Sequence, residues 1–279
     1  MKAKRKADYL YRLLIFSDTH YPQQDPRCID IVKQIARDSG KGKLTLKVDE
    51  YLLNGDICQL ARMSRWERDE DWAEENYGDT RAMLRADLSA IAELDGRATR
   101  TARPGNHDDN WNEYVQRMCP DVHGIEDSRG RLLTFDRWIG FDECGWQWFG
   151  SEEPIVYYDN FLVVHGDVSG CGGVNAARKL LQHFGKSGAS GHTHRPHHTT
   201  GSHWPNQPIG WWVAGCMCKR TFRYLKGDAR HPEWVNGFLS VVFDGRGHFW
   251  PEQHYLIEGK DRKMRALFDG RMYTSGEGV

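Results

Sequence analysis

Short apolar runs, each closed by small and polar residues, alternate along this chain with longer segments of helical periodicity. Residues 12–16, Arg-Leu-Leu-Ile-Phe, read as a buried strand running into Ser17-Asp18-Thr19-His20. Pro22 and Pro26 delay any helix until about Arg27. Beyond it Ile29, Ile31, Val32 and Ile35 mark an amphipathic helix ending near Gly40, a usual C-terminal stop. Residues 48–53 predict a second strand, closed by Asn54-Gly55-Asp56, and a long helix follows over roughly 72–94, with Met83, Leu84, Leu88, Ile91 and Leu94 on one side. A third strand over 98–102 runs into Arg103-Pro104-Gly105-Asn106-His107-Asp108-Asp109, where Gly105 permits a turn that a Cβ would obstruct. A helix over 111–118 comes next. Strand–helix alternation of this kind predicts an α/β fold with its chemistry at the carboxyl ends of the strands.

The second half is less regular. Residues 121–153 are rich in aromatics (Trp138, Phe141, Trp146, Trp148, Phe149) and read as an excursion that covers the core or caps the site. Residues 155–158 and 161–164 read as paired strands turning at Asp159-Asn160, the second leading into His165-Gly166-Asp167. A helix over 174–184 and a short small-residue strand over 187–190 deliver Gly191-His192-Thr193-His194. Residues 195–206 read as loop, 211–214 and 237–243 as strands, and the charged tail after Glu258 as frayed.

Composition narrows the function classes. Lys+Arg 38 against Asp+Glu 39 leaves a formal charge of −1, so no global charge announces a nucleic-acid binder, and any charge-driven recognition is local. A hydrophobic content of 39% over 279 residues is enough for a full core. The basic start is followed by no long apolar stretch, and no run approaches the roughly 18 apolar residues of a membrane span, so neither signal peptide nor membrane partner is predicted. Seven cysteines form an odd set without the regularity of a disulfide framework, which fits a reducing cytoplasmic setting. Cys216-Met217-Cys218 is spaced for a soft metal but has no second cysteine pair near it.

Five motifs fall at strand ends: Asp18-x-His20, Gly55-Asp56, Gly105-Asn106-His107-Asp108, His165-Gly166 and Gly191-His192-x-His194. They offer oxygen and imidazole donors and no thiolate, a mixture suited to hard or borderline divalent ions. In an extended segment residues i and i+2 point the same way, so each Asp/His-x-His pair can approach one site from one side.

In order and spelling these motifs resemble the calcineurin-like metallophosphoesterase superfamily, over about the first two thirds of the chain. The resemblance implies a four-layer αββα sandwich of two mixed β-sheets, formed by residues 1–279 as a single domain with excursions near 121–153 and 195–235. It implies two divalent metal ions, Mn²⁺ foremost with Fe, Zn, Ni or Mg as alternatives. Asp18, His20 and His194 would hold the first, Asn106, His165 and His192 the second, and Asp56 would bridge both. A hydroxide held between ions about 3.5–4 Å apart would attack phosphorus in line. His107 would meet the leaving group, and Asp108 would either orient His107 or cap the helix that follows. The implied substrates are phosphodiesters of DNA, RNA or nucleotides. A phosphomonoesterase is the alternative, and a non-catalytic scaffold like the related retromer subunit, which lacks the catalytic histidine, is a second.

The chain also departs from its relatives. The protein-phosphatase branch continues Gly-Asp with Val-Asp-Arg-Gly, whereas this chain reads Asp56-Ile57-Cys58-Gln59-Leu60, without that acid or arginine. Arg195, after the last motif, is a candidate phosphate ligand. Arg220 and Arg223 lie in a basic–aromatic stretch over 219–226 suited to gripping phosphates and stacking bases. His197 and His198 are expected in solvent.

Overall fold

Strand β1 (Tyr11–Phe16) is buried along nearly its whole length, as an apolar run covered on both faces must be. The computed structural model describes residues 9–63, 75–122, 124–126, 133–150, 153–203, 207–220 and 233–276. After β1 come α1 (Pro26–Gly40), β2 (Glu50–Asn54), α2 (Tyr77–Leu94), β3 (Thr99–Arg103), α3 (Asn106–Met118), α4 (Phe135–Ile139) and β4 (Gln147–Trp148). The second half supplies β5 (Ile155–Tyr157), β6 (Phe161–Val163), α5 (Ala176–Phe184), β7 (Ser187–Ser190), β8 (His197–His203) and β9 (Gln207–Val213). It closes with β10 (Gly237–Phe243), β11 (Phe249–Tyr255), β12 (Ile257–Glu258), β13 (Met264–Phe268) and β14 (Arg271–Thr274).

The result is a mixed α/β fold. One sheet runs β11-β10-β1-β2-β3-β4, and a second runs β5-β6-β7-β9-β8. In the first, β1 to β4 are parallel and β10 joins β1 antiparallel. In the second, β6, β7 and β9 are parallel, with β5 and β8 antiparallel at the margins. Phe16 pairs with Leu53 and Asn54 with Arg103, so the first three strands end nearly level. Parallel strands end on one edge of their sheet, so the segments after β1, β2 and β3 gather at one edge, and those after β6, β7 and β9 at another.

Alternation along β1 divides its side chains between two cores. Leu13 and Ile15 join Leu52, Leu239 and Val241 of their own sheet and Phe161, Val163 and Ala189 of the second. Leu14 and Phe16 turn the other way, to the apolar faces of α1 and α2. The outer face of the second sheet packs Leu162, Trp211 and Val213 on Ala176, Ala177 and Leu180 of α5. Helix α1 begins where expected: Asp25 accepts from Arg27 N at 3.0 Å and Pro26 takes the first helical position. Helix α2 is capped by Asn76 and buries Thr80, Leu84, Leu88 and Ile91, while Met83 points to solvent. The first residues of the helix expected from 72 lie outside the described residues.

Of the two readings of the aromatic segment, covering the core holds for residues 133–150: Trp146 donates to Leu88 O at 3.0 Å, and Phe141 stacks on Trp148. Other expectations need correction. The segment expected to be loop from 195 forms β8, paired with β9 from His197↔Val213 to His203↔Gln207. His197 is not a solvent histidine, because Ala177 N at the start of α5 donates to its Nε2 at 3.0 Å. The tail is not frayed: β13 and β14 form a hairpin that buries Met264, Ala266, Phe268 and Tyr273 in the core of α1. Its charged residues alternate with these apolar ones, and an overall impression of polarity hid that pattern. Among the described residues no helix is long and apolar enough to cross a membrane.

Candidate metal centre

The loops after β1 and β2 are laced together by backbone hydrogen bonds. Asp18 N donates to Gly55 O at 3.0 Å, His20 N to Asp56 O at 2.9 Å and Tyr21 N to Ile57 O at 2.8 Å. Within these loops and the one after β7 the chain takes left-handed conformations at non-glycine residues: Asp18 (φ 57°), His20 (49°), Asp56 (48°), His192 (68°) and His194 (58°). Such backbone costs of order 1–3 kcal/mol per residue and persists only where the surroundings impose it. The paired motifs are therefore not extended, and the i, i+2 argument was the wrong reason for their convergence. Turns aim them instead. Close approach does the rest: a Cβ on Gly105 would stand 2.3 Å from Asp56 N, and one on Gly191 would stand 2.1 Å from Ser17 Oγ.

Six of the seven side chains named as metal donors, all but Asn106, sit around one another at the strand ends. His194 Nε2 lies 3.1 Å from Asp18 Oδ1 and 3.1 Å from His20 Nε2. His165 Nε2 lies 3.2 Å from Asp56 Oδ2, too poorly aligned for a hydrogen bond, and His20 Nε2 lies 3.7 Å from the same oxygen. His192 N donates to both oxygens of Asp18, at 3.1 and 3.0 Å. Asp56, His165 and His192 bring donor atoms within 4.8 Å of one another, as do His20, Asp56 and His107. Asn106 opens α3, one helical turn earlier than expected, and its buried Oδ1 has no hydrogen-bond partner. His192 Nδ1 and His194 Nδ1 are likewise buried without one. Native interiors rarely leave such atoms unsatisfied. An amide oxygen and imidazole nitrogens beside two buried carboxylates are what a divalent cation requires, so the residues fit the ions.

Three imidazoles have their tautomer fixed from behind. His20 Nδ1–H donates to Gln59 Oε1 at 2.7 Å, His165 Nδ1–H to Asn54 O at 2.9 Å, and His107 Nδ1–H to Gln59 O at 3.1 Å. Each turns its Nε2 to the site, the usual arrangement behind a metal-ligating histidine. Electrostatics separate the rings. Burial, reinforced by His107, pushes His20 down to about 3, so it is neutral at any working pH. Burial also opposes charge on His165, but Asp56 outweighs it and raises that ring to about 10. Burial would raise Asp56, yet His165 and His107 hold it well below the usual carboxylate range. A cation in the cage would compete for the same oxygens and displace these protons.

The remaining candidates are placed differently. Asp108 does not orient His107. Its carboxylate accepts from Ile57 N (3.1 Å to each oxygen), Cys58 N at 3.0 Å and Gly105 N at 2.9 Å, clamping the Asp56 loop to the start of α3. Asp56 Oδ1 in turn accepts from His107 N at 2.9 Å. Arg195 is paired at 2.8 Å with Glu233, itself half exposed, and its Nε is buried without a partner. Arg220 is exposed and reaches Trp234 O at 3.5 Å. Arg223 and most of the basic–aromatic stretch lie outside the described residues. Sequence reasoning missed Gln59, which holds both His20 and His107, and Cys218, whose sulfur lies within 4.8 Å of nitrogens of His20 and His194. Nothing in the sequence marks Gln59. Cys218 was visible, but only as half of a cysteine pair.

No known protein-family model matches the chain. Its sequence is 26% identical over 268 residues to the Gene 54 protein of Mycobacterium phage D29, covering 89% of this chain and 95% of that protein. A solved structure described as "Structure of PhoD" superposes with a TM-score of 0.45 and 8% identity, over 99% of this chain and 73% of that one.

Proposed function

We propose that this chain is a metal-dependent phosphoesterase of the calcineurin-like metallophosphoesterase type, built as a four-layer αββα sandwich and acting on phosphodiesters of nucleic acid or nucleotides. One observation carries the reading: donors following β1, β2, β3, β6 and β7 meet at the strand ends with buried, unpartnered donor atoms among them. Asp18, His20 and His194 would hold one divalent ion, Asn106, His165 and His192 another, with Asp56 shared between them. Such a pair of ions polarises phosphoryl oxygens and supplies a nucleophile at neutral pH.

The chain's own residues do the rest. Gln59 O fixes the His107 ring through Nδ1–H, leaving Nε2 to hold or deliver a proton at the departing ester oxygen. Asp108 clamps the loop that carries Asp56, and His107 N holds the Asp56 carboxylate, which would face both ions. A diester carries one negative charge where a monoester carries up to two, and so asks less of cationic side chains. Arg195, the first arginine after the last motif, shares its charge with Glu233. That sharing supports the diester reading.

The Mn²⁺-loaded protein is expected to hydrolyse bis-p-nitrophenyl phosphate faster than p-nitrophenyl phosphate. His107→Ala is expected to keep its metal content and lose turnover by about 10²–10⁴. A protein that binds no divalent ion, or binds ions and turns over neither ester, overturns the proposal. A variant with wild-type kcat removes His107 from it.

A further inference from the structure

The donor motifs follow five of the parallel strands, β1, β2 and β3 in one sheet and β6 and β7 in the other. Strand β9, parallel to β7, runs into Ala214-Gly215-Cys216-Met217-Cys218. Backbone bonds dock this segment on the first motif. Met217 N donates to Ser17 O and Asp18 O, both at 3.1 Å. Asp25 N donates to Met217 O at 2.9 Å, and Lys219 N to Gln23 O at 2.8 Å. Ser190 O accepts from Ala214 N at 2.7 Å, tying the same segment to the strand that delivers His192 and His194.

Cys218 is fully buried there, its sulfur within 4.8 Å of nitrogens of His20 and His194. Those two rings belong to one half-site: their Nε2 atoms face each other at 3.1 Å, with Asp18 Oδ1 3.1 Å from His194. Ligands at about 2.0–2.3 Å from one ion stand about 3–4 Å apart, so the two 3.1 Å pairs already suit an ion and the sulfur has only to close in. The neighbouring Cys216 lies beside Cys218 and His194 but is also held from its other side. Asn236 Nδ2 donates to Cys216 O at 3.2 Å and approaches its sulfur at 3.7 Å, and that sulfur reaches Val235 O at 3.8 Å.

We propose that Cys218 is a thiolate ligand of the ion held by Asp18, His20 and His194, turning this half-site into a mixed carboxylate, imidazole and thiolate centre. The proposal rests on the reading of the site as a metal centre and adds to it. Contact with a divalent ion removes the thiol proton, which leaves to solvent. Sulfur at this half-site and only oxygen and nitrogen at the other make the two unlike, the first suited to Zn²⁺ or Fe²⁺ and the second to Mn²⁺. Two soft donors in one cysteine pair were the wrong thing to look for. One sulfur is completed by histidines some distance along the chain.

Cobalt(II) loaded into the metal-stripped protein, with a non-thiol reductant present, tests this without reference to activity. The wild type and Cys216→Ser are expected to show a sulfur-to-cobalt charge-transfer band in the near ultraviolet. Cys218→Ser is expected to lose it while keeping bound cobalt and its far-ultraviolet circular dichroism. A wild type that binds cobalt without that band overturns the thiolate and leaves the metal centre standing. So does a band that survives in Cys218→Ser or disappears only in Cys216→Ser. A wild type that binds no cobalt overturns both.

Discussion

Replacing Asp108 by alanine leaves three backbone N–H groups, those of Ile57, Cys58 and Gly105, without their buried acceptor. The carboxylate is 1% exposed, so bulk water does not reach it. A buried donor left unsatisfied costs about 1–3 kcal/mol, which sums to about 3–9 kcal/mol before relaxation. Water entering the vacated space recovers part of that, and the expected loss is about 3–5 kcal/mol, a large share of the ~5–15 kcal/mol that holds a typical domain together. Asp108→Asn keeps one oxygen but turns an amide N–H₂ toward a donor, so about 1–3 kcal/mol is expected. Urea unfolding of the metal-stripped protein measures both. Because Asp108 fixes the loop that carries Asp56, metal retained after dialysis should fall in the same order, alanine below asparagine below wild type. An alanine variant with the wild-type urea midpoint and metal content would refute the clamp. One that keeps both and loses only turnover would place Asp108 in the chemistry instead.

Burial pushes Glu75, 7% exposed, up from 4.5 to about 7, against the pull of Ala61 N and other backbone donors. A carboxyl that holds its proton longer when folded stabilises at low pH. Wild-type stability should thus decline by about 3 kcal/mol as pH rises through the window from 4.5 to about 7, a slope that Glu75→Gln flattens in pH-dependent urea titrations. Equal slopes for the two proteins would reject the assignment. Phe268→Ala removes a ring packed on Phe238, His254 and Tyr273, with the Arg12 guanidinium 5.0 Å above it. A loss of about 3–5 kcal/mol in urea is expected, and a loss under 1 would mean that the C-terminal hairpin is not part of the core. Gly191→Ala puts a methyl 2.4 Å from Asp18 Oδ2 and 2.1 Å from Ser17 Oγ, which is itself held by Asn54 O at 2.7 Å. Metal content should drop with a destabilisation of about 1–3 kcal/mol, and unchanged metal binding would show that Asp18 can yield.

Asp18, Asp56 and His165 were legible because each follows an apolar run that reads as a strand, whereas Asn106, His192 and His194 follow polar or small-residue strands and stood out by their motifs alone. Residues 12–16 and 161–164 are examples. What holds the donors was not legible. Gln59 works through an amide and a carbonyl that any residue pattern could contain, and Asp108 looks in sequence like a helix cap beside a histidine. It does cap that helix through Gly105 N, but its other partners, the N–H groups of Ile57 and Cys58, lie about fifty positions away, which no local signal encodes. The tail misled for a different reason: Met264, Ala266 and Phe268 alternate with exposed residues, and a five-residue strand is too short to outweigh its charged surroundings.

Asp18, Asp56 and Asn106 ride on the first sheet, His165, His192 and His194 on the second, and the two meet through a shared core that includes Leu13, Ile15, Phe161 and Val163 and through bonds such as Asn54 Nδ2 to Val164 O. A nascent chain that has assembled either half alone therefore owns only a fragment of the cage. Bound ions would act as a clasp across the seam, fastening late and rewarding only chains whose halves have already docked. Stripping them should loosen the seam before it unravels either half, so slower amide exchange at the facing strands of both sheets would register their arrival.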